Sequence, residues 1–178
     1  ANDVDTDSDE DAGEEEEDAE PPARGIPGVA RPAWELIDSS SSVPLHKQVG
    51  QLSVQEKLKL AKAGTLPVRR LLIRDAEKRI HVAVIKNPKI TDTEIIEFSG
   101  VRTISPAVLR WLANQQQYIR NSQILTNILY NPMTPKDTAL KLLKRVNQSE
   151  LLKIARSKRV KEVLQRAAKK IQMDRGIL

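Results

Sequence analysis

The chain has 178 residues, with 29 Lys+Arg, 24 Asp+Glu and a formal net charge of +5. Residues 1–22 hold 12 acidic and no basic side chains, so residues 23–178 carry 29 basic and 12 acidic, a net of +17. The absence of cysteine excludes disulfide frameworks, Cys-ligated zinc, iron–sulfur clusters and thiol catalysis. Two histidines, His46 and His81, and 3% aromatics leave no basis for a multi-histidine metal site or a histidine-rich active site.

In chain order, residues 1–22 have Val4 as their only sizeable apolar side chain. Nothing there offsets the entropy of ordering the backbone, so a disordered acidic tail is expected. Residues 23–45 read as a Pro/Ser-rich linker, with Pro27, Pro32, Pro44 and the run Ser39–Ser42. An apolar island at 32–37 interrupts it. Trp34, Leu36 and Ile37 there are candidates for a short docking motif that would fold on a partner. The competing reading packs them on the chain's own domain.

From residue 46 to 178 the pattern is a basic helical domain. Ser53-Val54-Gln55-Glu56 is a capping box, in which Ser and Glu satisfy each other's free amides. The helix it opens carries Val54, Leu58 and Leu60 and ends near Gly64. Thr65 starts the next, with Val68, Leu71, Leu72 and Ile73 facing inward. A third is expected from about Asp75, carrying Ile80, Val82, Val84 and Ile85. It stops at Asn87-Pro88, because a residue before Pro is pushed out of helical geometry.

Asn87-Pro88 recurs as Asn131-Pro132, 44 residues later. The same offset pairs Ile80 with Ile124, Val84 with Ile128, Ile85 with Leu129, Phe98 with Leu142, Ser105 with Ser149 and Val108 with Leu152. The spacing predicts two units of three short helices: 75–86, 91–99 and 105–114, then 118–130, 134–145 and 148–157. Both serines sit where a helix N-cap is wanted. Ser105-Pro106 and Thr134-Pro135 each place an N-cap residue before Pro at the first helical position. A unit this small cannot bury its apolar face alone, so stacking is expected. Helices before 74 make one cap, and a helix over 159–173 makes the other.

Units with an Asn-Pro break, Thr/Ser-Pro helix starts and a period in the forties resemble α-solenoid repeats of the HEAT/armadillo type. The segments Ala83–Thr91 and Asn127–Pro135 resemble the helix–Asn-Pro–Thr-Pro signature of the leucine-rich repeat variant group. The resemblance covers roughly residues 53–172. It implies an all-α fold, a right-handed α-solenoid of short helices, and a bacterial source. The iron–sulfur binding found beside such repeats does not carry over to a chain without cysteine.

No Walker motif, GxGxxG or GxSxG is present. The acidic residues of the helical part are scattered, and several, such as Asp92, Glu94, Asp137 and Glu150, fall at helix starts, where the macrodipole favours them. Neither His46 nor His81 is assigned a catalytic role, and no cofactor, metal or small-molecule substrate is expected. One enzymatic alternative is a HEAT-like DNA glycosylase, on Trp111 and Tyr118 with Arg110 and Arg120. The competing reading places Trp111 in the core.

Residues 44–178 hold 27 Lys/Arg and 10 Asp/Glu. Such a density attracts phosphate backbones or acidic proteins through long-range steering. Arg69, Arg70 and Arg74 form one group of candidate surface cations. Lys144, Arg145, Arg156, Lys158, Arg159, Lys161, Lys169 and Lys170 form a denser one. The preferred expectation is a non-enzymatic, cytoplasmic α-solenoid scaffold or adaptor whose basic surface binds a protein partner. The alternative is a nonspecific, electrostatic nucleic-acid-binding protein, since no base-reading motif is visible. A membrane surface ranks lower, because the last helix has few large apolar side chains. The acidic tail is expected either to solubilise the chain or to compete for its basic face.

Overall fold

A computed structural model describes residues 33–176. The expectations for residues 1–22 and 23–32 lie outside the described residues. Within them the chain is all-α: a 3₁₀ helix, Ala33–Leu36, precedes eleven α-helices, and no strand occurs.

Helix α1 (Leu45–Gln51) is held to the segment before it by Gln48. The Gln48 Nε2 donates to the carbonyls of Asp38 (3.0 Å) and Val43 (2.8 Å), and its Oε1 accepts from Asp38 N (2.9 Å). Helix α2 (Val54–Ala63) begins at the expected capping box, with Ser53 N donating to Glu56 Oε2 (2.9 Å) and Glu56 N to Ser53 Oγ (3.3 Å). It stops at Gly64, where the next helix passes too close for a side chain. A Cβ there would lie 2.6 Å from the Leu60 carbonyl oxygen and 2.9 Å from Val68 Cγ1.

Helix α3 (Leu66–Leu72) carries Pro67 in its first turn, where no amide partner is lost. Helix α4 (Lys78–Ile85) starts three residues later than the sequence suggested. Asp75 accepts from Glu77 N (2.9 Å) and Glu77 caps Arg79 N (3.2 Å), so the carboxylates hold 75–77 as a turn. Helix α5 (Asp92–Ser99) opens on a second capping box, Thr91 with Glu94. Helix α6 (Pro106–Asn114) begins, as expected, behind Ser105, whose Oγ accepts from Ala107 N (3.3 Å).

The single helix expected over 118–130 is two, α7 (Gln116–Ile119) and α8 (Ser122–Tyr130). Asn121 divides them: its Oδ1 accepts from Gln123 N (2.9 Å) and restarts the helix. Helix α9 (Lys136–Leu143) follows. Thr134 does not cap it, because the Thr134 hydroxyl turns back and donates to the Ile128 carbonyl at the end of α8. Helix α10 (Gln148–Arg156) is capped by Asn147, which accepts from Glu150 N (2.8 Å); Ser149 lies inside the helix instead. Helix α11 (Glu162–Asp174) ends the described chain.

One hydrophobic cluster runs through these helices. Leu72, Ile80, Val84, Ile95, Phe98, Leu109, Leu112, Ile128, Leu143 and Ile154 are fully buried in it. The paired positions Ile80 and Ile124, Val84 and Ile128, Ile85 and Leu129, and Phe98 and Leu142 are buried alike. At the far end the register slips: Val108 is buried, while Leu151 rather than Leu152 fills the core, since α10 starts two residues early for the 44-residue offset.

Asn87 and Asn131 do the same local work. Each ends a helix and accepts from the amide two residues on, Asn87 Oδ1 from Lys89 N (2.8 Å) and Asn131 Oδ1 from Met133 N (3.0 Å). Each side-chain amide then reaches an earlier part of the chain. Asn87 Nδ2 donates to the Ala61 carbonyl (2.8 Å), and Asn131 Nδ2 to those of Ser99 (3.0 Å) and Val101 (2.9 Å). Carbonyls at or just past the ends of α2 and α5 thereby gain a donor, and Pro88 and Pro132 prevent either helix from continuing. At the end of α11, Arg175 donates to the carbonyls of Lys144 (2.9 Å) and Val146 (3.2 Å) past the end of α9.

Candidate functional site

The cations singled out in the sequence do not form one surface. Arg69 is buried, because on α3 it shares the stripe of Val68, Leu72 and Ile73. Its guanidinium meets Glu94 in two parallel bonds, Nε to Oε1 at 2.6 Å and a second nitrogen to Oε2 at 2.9 Å. It also donates to the Gly64 carbonyl (2.8 Å). Burial pushes the Glu94 carboxyl up, but bonds from Arg69 and Thr91 outweigh it and hold the group below its ordinary range. Arg69 is therefore removed from the binding set: a guanidinium with this many buried partners is a structural tie. Arg70 is exposed and pairs with Glu97 (2.9 Å), and Arg74 is exposed.

The denser group divides further. Lys161 is tied by its Nζ to the Thr134 carbonyl (2.9 Å). Arg156, Lys169 and Lys170 are exposed on α10 and α11, and Lys144 is exposed at the end of α9. Arg145 donates to Gln116 Oε1 (3.2 Å) and lines a cleft of about 170 Å³ with Arg110, Lys141 and the carboxylate of Asp137.

Lys158 and Arg159 belong to a different site. They stand on the turn between α10 and α11 and line a cleft of about 400 Å³ with Gly100, Arg102, Tyr130 and Asn131. No carboxylate among the described residues lines it. Among the described residues, Arg102, Lys158 and Arg159 form no ion pair, and all three are exposed. Tyr130 is half-buried at the cleft wall. Burial pushes its phenol up, and the nearby Glu150 carboxylate adds to this while Ser157 opposes it. Arg102 was not singled out in the sequence. It is one cation on a short loop, and only the fold brings it to Lys158 and Arg159.

Both sides of the cleft are held. Asn131 fixes the Ser99 and Val101 carbonyls, and so the loop that carries Arg102. On the other side Gln165 Nε2 donates to the carbonyls of Ser157 (3.0 Å) and Val160 (2.8 Å), while Arg159 N donates to Ser157 Oγ (3.2 Å).

The remaining candidates are placed within the domain. Leu36 is buried and Ile37 packs against the same core, so these two side chains of the proposed docking motif are spent on their own domain. Physically, an island of apolar residues beside an open core buries there first. The Trp34 side chain lies outside the described ones. Trp111 and Tyr118 pack on each other, with ring centroids 5.8 Å apart, and against the core.

His81 is fully buried on α4. Its Nδ1 accepts from Ser105 N (3.0 Å) and its Nε2 lies 2.7 Å from the Asp75 carbonyl. Both contacts are met only by a neutral ring carrying its hydrogen on Nε2. Among the described residues, no group of three His, Cys, Asp or Glu side chains could hold a metal, and no helix is long and apolar enough to cross a membrane.

No protein-family model matches the chain, and no curated protein and no solved structure matches it either.

Proposed function

We propose that the chain is a non-enzymatic binding module, a scaffold or adaptor that engages an acidic segment of a protein partner through its basic surface. The observation that carries this reading is the convergence of Arg102, Lys158 and Arg159 on one cleft: among the described residues all three are without an ion pair and no carboxylate lines the cleft. Unpaired like charges repel one another and contribute nothing to folding at that place. A binding surface accounts for them better than a folding role does. In the same reading the helices stack as a right-handed α-solenoid of the HEAT/armadillo or leucine-rich repeat variant kind. The matched bonds of Asn87 and Asn131, 44 residues apart, support that arrangement.

The test is fluorescence anisotropy of a labelled glutamate-rich peptide titrated with the protein. Saturable binding at low salt that weakens as salt rises, and weakens further in Lys158→Glu/Arg159→Glu, supports the reading. Absence of binding at low salt removes it.

A second reading is nonspecific nucleic-acid binding, favoured by the Tyr130 ring beside three cations. Gel shifts with single-stranded RNA and duplex DNA separate it from the first, because it requires both to bind without the peptide competing.

A further inference from the structure

We infer that the cleft of Arg102, Lys158 and Arg159 is a phosphomonoester site, which reads a phosphorylated side chain within the acidic segment of the partner. This rests on the binding reading above and adds what the cleft selects. A phosphomonoester brings about −1.5 to −2 charges and three acceptor oxygens at neutral pH. Three cations line one cleft of about 400 Å³, and a phosphomonoester offsets more of their charge than a carboxylate or a phosphodiester does. A carboxylate brings one charge and two oxygens, and a phosphodiester one charge, so either leaves about two positive charges unmatched where a phosphomonoester leaves about one. Two of the three cations are arginines, whose planar forks meet phosphate oxygens in paired bonds.

The framework is arranged for such a ligand before it arrives. Asn131 pins the backbone on either side of Gly100, next to Arg102. Gln165 and Ser157 pin the turn that presents Lys158 and Arg159. Holding both loops lowers the ordering cost of binding. Several basic side chains elsewhere are engaged, while Arg74, Lys144, Arg156, Lys169 and Lys170 are exposed without an ion pair among the described residues. Lys57, Arg69, Arg70 and Arg79 are in ion pairs, Lys161 is tied to a carbonyl, and the cleft of Arg110, Lys141 and Arg145 holds Asp137.

Nucleic acid fits the cleft less well. Sequence-tolerant binding of single strands uses a series of aromatic faces on which bases stack. Among the described side chains Phe98 is fully buried, Trp111 and Tyr118 cover each other, and Tyr130 alone faces this cleft.

Calorimetric titration of the full chain with three glutamate-flanked pentapeptides tests the site, the central residue being phosphoserine, glutamate or serine. The phosphoserine peptide is expected to bind about tenfold more tightly than the glutamate one. Arg102→Gln/Arg159→Gln should erase that preference, and Lys169→Gln/Lys170→Gln, the same charge change on α11, should keep it. All four side chains are exposed, and thermal unfolding checks that both variants fold. Equal affinity for the phosphoserine and glutamate peptides overturns the inference and leaves the acidic-partner reading standing. A preference that survives Arg102→Gln/Arg159→Gln overturns the assignment to this cleft. No binding of any peptide at low salt removes both. A single-stranded RNA of equal charge that binds more tightly than the phosphopeptide, and loses that binding in Arg102→Gln/Arg159→Gln, also overturns it.

Discussion

Arg69 and Glu94 face each other in a buried, two-bond ion pair, Nε to Oε1 at 2.6 Å, that joins α3 to the first turn of α5. Arg69 extends the tie to the Gly64 carbonyl, and Glu94 completes the capping box of its own helix. The end of α2, α3 and the first turn of α5 thus meet at one pair of charges.

Removing one partner leaves the other charge buried and unmatched. Arg69→Met or Glu94→Gln is predicted to cost about 3–5 kcal/mol in urea unfolding. Replacing both together, Arg69→Met/Glu94→Leu, should cost less than either single change, because no unmatched charge remains. A double variant as unstable as the sum of the singles would contradict this.

Neither residue was legible as a pair, yet a signal was there. Arg69 falls in register with Val68, Leu72 and Ile73, and Glu94 with Ile95 and Phe98, all buried. Opposite charges on two apolar stripes point inward toward each other, whereas Arg70, one position on, points out. Charge density along the chain cannot make that distinction, and it placed Arg69 among the surface cations. Helix existence and the paired core positions were legible because they follow from the spacing of apolar residues. Helix starts were less so, since Ser, Thr and Asn compete for them. Asn147 took the cap expected at Ser149, and Thr134 turned back to α8. Arg102 was out of reach, because loop positions carry no periodicity.

Stability should fall with acid in two stages. Burial pushes the His81 imidazole below its ordinary value of 6.5, with Lys78 adding to this and the Asp75 carbonyl and the Asp75 and Glu77 charges opposing it. The unfolded chain therefore takes the proton first, and stability is lost as pH falls below about 6.5. Glu94 and Asp75 are held below their ordinary values, so their contribution is present above about 4 and lost as pH falls through their folded values. His81→Gln should remove the upper stage and keep the lower one. Urea midpoints between pH 4 and 8 measure both.

Two glycines separate close approach from helix propensity. Gly64→Ala forces a Cβ to 2.6 Å from the Leu60 carbonyl oxygen and should destabilise by about 1–3 kcal/mol. Gly50 lies inside α1 with nothing within 4 Å of an added Cβ, so Gly50→Ala should stabilise by about 0.5–1 kcal/mol. Thermal midpoints moving in opposite directions would bear this out.

Asn131→Ala strips the buried Ser99 carbonyl of its side-chain donor and removes one of two donors from the half-buried Val101 carbonyl, which keeps Ile104 N (3.2 Å), while Asn87→Ala strips the Ala61 carbonyl. A buried carbonyl left without a donor costs about 1–3 kcal/mol, and Asn131→Ala loses one carbonyl bond more than Asn87→Ala, so it should be the more damaging. It should also loosen the loop of Arg102 and weaken peptide binding, while Asn87→Ala should leave binding unchanged. Parallel urea and anisotropy measurements compare the two.

The central claim is that an acidic partner is held at the cleft of Arg102, Lys158 and Arg159. Amide NMR shift mapping during titration with a glutamate-rich peptide tests it most directly. Shifts concentrated at Gly100, Arg102, Asn131, Lys158 and Arg159 are predicted. Binding whose shifts lie on α1 to α4, with those five amides unmoved, would contradict it.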